Sequence, residues 1–69
     1  MDELKKVIDI VGGQAELARR LGVSRQLITH WLNGRSIPAD RAALMEKIVD
    51  GRVSARVLAP NFPWPDVAA

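Results

Sequence analysis

Apolar residues recur at helical spacing in four stretches of this 69-residue chain. Leu4, Val7, Ile8 and Val11 fall at i, i+3, i+4 and i+7; Ala15, Leu17, Ala18 and Leu21 also stand at helical spacing, as do Leu27, Ile28, Trp31 and Leu32. A fourth helix is expected from about Ala39 to Val49, with Ala42, Leu44, Met45, Ile48 and Val49 available for burial. The punctuation agrees with these stretches. Asp2 can cap the first helix and Gly12 stops it, Gly13 starts the second, Pro38 and Asp40 suit the first turn of the fourth, and Asp50-Gly51 ends it. Ser54 can cap a short fifth helix, Ala55 to Leu58, with Val53 and Leu58 spaced as a hydrophobic staple. Pro60, Pro63 and Pro65 then exclude regular structure. The pattern predicts an all-α fold of five short helices in residues 1–58, followed by a proline-rich tail, 59–69.

The stretch from Gln14 to Leu32, QAELARRLGVSRQLITHWL, joins two of these helices through Gly22-Val23-Ser24. Glycine is the residue best able to enter the left-handed conformation that closes a helix, and serine is a favoured N-cap. Two helices sharing one core across so short a turn form a helix-turn-helix. On the outer face of the second, Gln26, Thr29, His30 and Asn33 fall at i, i+3, i+4 and i+7, with Arg25 beside their N-terminal end and no acid among them. Arginine and glutamine carry the paired donors and acceptors that match guanine and adenine edges in the major groove, so Arg25 and Gln26, with Thr29 and His30, are the candidate base contacts. The competing reading of the stripe is a solvated surface that lacks acids.

Length and composition narrow the class. A single small core of this size holds about 3 to 5 kcal/mol. Without cysteine there is neither a disulfide framework nor a thiolate metal site, and the lone His30 cannot hold a metal, so no metal or cofactor is expected. No catalytic constellation is evident: His30 has no acid within a turn and Ser24 is accounted for as a cap, so an enzyme is not expected. No apolar run approaches the length of a bilayer span, and the start, Met-Asp-Glu-Leu-Lys-Lys, lacks a basic region followed by an apolar one; no membrane partner and a cytoplasmic location in a bacterial host are the expectations. The net charge of +2 is small, but its distribution is uneven. Residues 1–18 balance at −2, residues 19–39 carry Arg19, Arg20, Arg25 and Arg35 with no acid, and residues 40–69 balance at zero. Positive charge gathers at the turn and second motif helix, as a footprint on phosphates requires.

QAELARRLGVSRQLITHWLNG resembles the helix-turn-helix of lambda-type phage repressors and Cro proteins, with Gln14, Ala18, Gly22, Val23, Ile28 and Trp31 at that motif's usual positions. The continuation NGRSIPADRAALMEKIVDGRVSARVLAPNFPW is similar to the small Cro and YdaS-type antitoxin family, departing from it at Asn61, where an acid is usual, and at Arg52, which separates Gly51 from Val53. The resemblance covers roughly Leu4 to Trp64 and implies a lambda-repressor-like domain that represses transcription by occupying an operator. It also implies that Gln14 bonds a backbone phosphate; the alternative is that Gln14 serves only as a first-turn residue. Ser24, Asn33, Arg35 and Arg41 complete the candidate phosphate contacts. One recognition helix reads few base pairs, so the expected partner is double-stranded, pseudo-palindromic operator DNA bound by a homodimer that is weak in solution. Leu58, Phe62 and Trp64 are the candidate dimer contacts, with packing inside the chain as the alternative for both aromatics. The rival functions are an antitoxin with a toxin partner, repressing its own operon, and a helical interaction module that does not bind DNA.

Overall fold

A computed structural model describes the chain from Asp2 to Pro65; Met1 and the last part of the expected tail, residues 66–69, lie outside the described residues. Within that span the chain forms α1 (Asp2–Val11), α2 (Gln14–Leu21), α3 (Arg25–Leu32), α4 (Ala39–Ile48) and α5 (Ala55–Leu58), with no strand among the described residues. The all-α expectation holds. Asp2 stands inside the first turn of α1 beside Glu3, where both acids meet the positive end of the helix dipole.

The five helices close around one core. Leu4 and Val7 of α1, Leu17, Ala18 and Leu21 of α2, Ile28 and Trp31 of α3, and Ala42 and Met45 of α4 are buried, with Ile8, Val11, Leu27, Leu32, Leu44 and Ile48 packed at its margin. Helix α1 packs on α2 and α5, and α4 on α5 and α2. Ala15 departs from its apolar repeat: it is exposed in the first turn of α2. Two residues outside any helical repeat complete the core, Ile37 in the α3–α4 connection and Ala59 after α5.

The turn between α2 and α3 follows from Gly22, at φ 70° and ψ 32°. Its N–H donates to the Arg19 carbonyl at 3.3 Å and the Val23 N–H to the Ala18 carbonyl at 3.0 Å, the paired bonds that close a helix through a left-handed residue. Ser24 then starts α3, its Oγ accepting from the Leu27 N–H at 3.1 Å. The same device ends α3: Gly34 (φ 105°) donates to Trp31 and Arg35 to His30, turning the chain so that Ile37 enters the core two residues later.

The end of the chain folds back on the domain. Ser54 caps α5 by accepting from the Arg56 N–H, while Glu46 of α4 accepts from the Ala55 N–H at 2.7 Å. Trp64 packs against the core and its indole N–H donates to the Ala59 carbonyl at 2.8 Å; Phe62 meets it edge-on with ring centroids 4.7 Å apart. Leu58 requires a correction as a candidate dimer contact. Its side chain is wholly buried in the chain's own core, as its place in the Val53–Leu58 staple demands, and has no surface to offer a second subunit. Phe62 remains 45% exposed, and Val57, which no motif singled out, is exposed to the same degree.

A Cβ at Gly22 would meet nothing within 4 Å, so substitution there strains only the backbone. Gly22→Val is expected to cost about 1 to 2 kcal/mol, a large share of the stability of so small a domain, and Gly22→Asn distinctly less, because asparagine tolerates the left-handed region. Denaturant unfolding of the two variants checks this; equal stability of Gly22→Val and the parent would show that the turn does not need the left-handed conformation.

Candidate nucleic-acid interface

Helix α3 presents two different faces because its own side chains anchor it. Ile28 and Trp31 point into the core, the tryptophan only 1% exposed, and Leu27 and Leu32 flank them half-buried. Arg25, Gln26, Thr29, His30 and Asn33 are all exposed, so the structure brings the candidate base contacts together on one outer face. At the helix start, the Ser24 oxygen accepts the capping bond and its hydroxyl proton remains to donate to an anion. At the other end Arg35 reaches back along the stripe, with its Nη1 3.5 Å from His30 Nδ1. In the tautomer that pairs with Arg35, His30 carries its proton on Nε2 and offers a donor outward. Arg41 lies in the first turn of α4, half-buried, beyond the Arg35–Pro38 connection.

Gln14 stands differently from the expectation. Its amide nitrogen donates to the Arg25 carbonyl at 3.0 Å and to Thr29 Oγ1 at 2.7 Å, tying the start of α2 to the first turn of α3. Because a backbone carbonyl only accepts, the nitrogen must face it, which fixes the amide's orientation. With both N–H groups turned inward, the side chain keeps only an acceptor oxygen outward, and a phosphate oxygen cannot bond to that. In this structure Gln14 is therefore a brace between the two motif helices, and a phosphate at this end would meet backbone amides of α2 instead.

The local charge is also more structured than a count along the chain suggests. Glu16 accepts from Arg19 and, at 2.7 Å, from the Arg20 Nε, both on the same face of α2. These hydrogen bonds, from Arg19 first and Arg20 second, hold the Glu16 carboxyl far below its ordinary 4.5, at about 2. Two of the four arginines in the acid-free window are thus engaged by an acid just outside it. Arg25 and Arg35, at opposite ends of α3, carry the cationic charge beside the stripe.

Among the described residues no cluster of metal-ligating side chains occurs, and no helix is long and apolar enough to cross a membrane. The fold and its exposed stripe define a small helix-turn-helix domain. Residues 4–67 match the family described as bacterial toxin YdaS, and the chain belongs to that family. It is 38% identical over 61 residues to YdaS of Escherichia coli (strain K12), provisionally named a transcriptional regulator; the alignment covers 87% of this chain and 62% of that protein, so the chain spans about three-fifths of that relative's length. It is also 30% identical over 69 residues to the regulatory protein cro of Pseudomonas phage D3, covering 94% of this chain and 90% of the phage protein. No solved structure gives a significant match.

The Glu16 pairs make one solution property predictable. A carboxyl whose folded value lies below its unfolded one contributes stability that is complete above the unfolded value and is lost as pH falls toward the folded one. The stability difference between the parent and Glu16→Gln should therefore be constant above about pH 4.5 and disappear as pH approaches 2, and it should be modest because the pairs face solvent. A difference that persists unchanged to pH 2 in denaturant unfolding would show that the pairs do not form in solution.

Proposed function

We propose that the chain is a sequence-specific DNA-binding repressor of Cro type, acting by occupancy of an operator. The observation that carries this reading is the exposed, acid-free row Arg25, Gln26, Thr29 and His30 on a helix locked in rotation by Ile28 and Trp31. Helix α3 enters the major groove, α2 crosses the backbone, and Ser24, Asn33 and Arg35 meet phosphates at the two ends of the helix, with Arg41 as an outlying cation. The two relatives named as regulators support the same class. Two copies pair on a pseudo-palindromic site in the bacterial cytoplasm. Phe62 and Val57, the two most exposed of the large apolar residues described, offer surface for that pairing, and Phe62 rims a 340 Å³ cleft that also includes Arg35 and Ile37.

The family's description as a bacterial toxin favours a second reading, action within a toxin–antitoxin pair. The word toxin in that description is the opposite of the antitoxin role that the sequence resemblance implies. Copurification of a small protein partner with the chain separates this reading from a free-standing repressor.

Selection of bound sequences from random duplex DNA tests the proposal. The expected outcome is a palindromic consensus whose half-sites lie one helical turn apart, with Arg25→Ala or Gln26→Ala relaxing one position at a cost of about 1 to 3 kcal/mol. Removing Arg35 should make the dependence of log K on log salt shallower by about one unit, with no change of consensus. A consensus unaltered by both stripe substitutions would contradict the docking.

A further inference from the structure

Thr29 sits in the middle of the stripe, yet its hydroxyl is already engaged. A threonine hydroxyl has one proton to donate and two positions at which to accept. The proton goes to the Arg25 carbonyl one turn earlier, at 3.2 Å, and Gln14 Nε2 fills one acceptor position at 2.7 Å. Gln14 cannot turn its amide over without opposing oxygen to the Arg25 carbonyl, 3.0 Å away, so the arrangement is mutually fixed. A β-branched side chain in a helix has few rotamers, and these two bonds select one of them. What an exposed Thr29 has left to present outward is chiefly its methyl group.

We infer that Thr29 is a specificity residue that reads the C5-methyl group of a pyrimidine in the major groove, by apolar contact and not by hydrogen bonding. This rests on the duplex-DNA reading above and adds the chemistry of one base position to it. The groove edge of a pyrimidine carries such a methyl in thymine, and an apolar side-chain contact is the complementary partner. Gln14 is the positioning residue: it fills one acceptor position of the Thr29 hydroxyl, whose proton already goes to the Arg25 carbonyl, and so holds the rotamer in which no donor is left for a base. Two bases supply the group, thymine and 5-methylcytosine, and they are distinguishable on the DNA side.

The test uses the unaltered chain and its selected duplex, with each thymine of a half-site replaced singly by uracil, which removes only the methyl. One position should weaken by about fourfold, the value of one buried methyl-sized group. Should the consensus carry cytosine there, 5-methylcytosine should strengthen binding by a similar factor. Thr29→Val, which keeps a methyl and loses the hydroxyl, should retain the discrimination; Thr29→Ser, which keeps the hydroxyl and its bonds, should abolish it at that position alone. Indifference of the parent to every such methyl, or retention by Thr29→Ser with loss by Thr29→Val, overturns the inference. Salt-dependent binding to bulk duplex DNA, measured alongside, separates the two levels: a chain that holds duplex but ignores the methyl overturns this inference alone, whereas a chain that holds no duplex overturns it together with the reading it rests on.

Discussion

The burial of Trp31 is the constraint on which the rest of the structure depends. This side chain belongs to the helix that presents the polar stripe, yet it is also among the largest wholly buried groups in the core. Removing a buried tryptophan side chain costs about 3 to 5 kcal/mol, comparable with all the stability expected of a core this small. Rotating α3 would expose Trp31 and Ile28 together. The outward direction of Arg25, Gln26, Thr29 and His30 is therefore set by the same packing that folds the domain, and the stripe has no independent freedom to reorient.

Polar contacts refine what packing begins. Gly22 brings α2 and α3 together within a short turn, and Gln14 then spans them with two hydrogen bonds. Glu16 engages Arg19 and Arg20 further along α2. The result is a division of labour along the motif: α2 supplies internal bracing and internally paired charge, while α3 and the loop after it hold the exposed donors. A site built on helices that are fixed in this way can discriminate between base edges without first ordering itself, which is where flexible binders lose affinity.

Much of this could be read from the sequence because it is local. Helix boundaries were marked by Gly12, Gly22, Ser24, Pro38 and Ser54, each acting within four residues of itself, and the apolar repeats named most of the core. What could not be read is non-local. Ile37 and Ala59 lie outside any helical repeat, so periodicity had no way to place them inside. The Gln14 bonds cross 11 and 15 residues, which turned an expected phosphate contact into a brace. Glu16 fell outside the window that contained its two arginine partners, so the count along the chain overstated the free positive charge. Leu58 was read both as a staple and as a dimer contact, and the staple alone fits its burial.

The central claim is that the outer face of α3 meets the base edges of the DNA, with the start of α2 and the loop after α3 beside it on the backbone. Backbone amide chemical shifts followed while duplex DNA is added test it most directly. The account predicts perturbations concentrated from Ser24 to Arg35 and at the start of α2, with α1 and the Asp50–Arg52 turn unmoved. Perturbations centred instead on α5 and Phe62, with the α3 stripe silent, would contradict it.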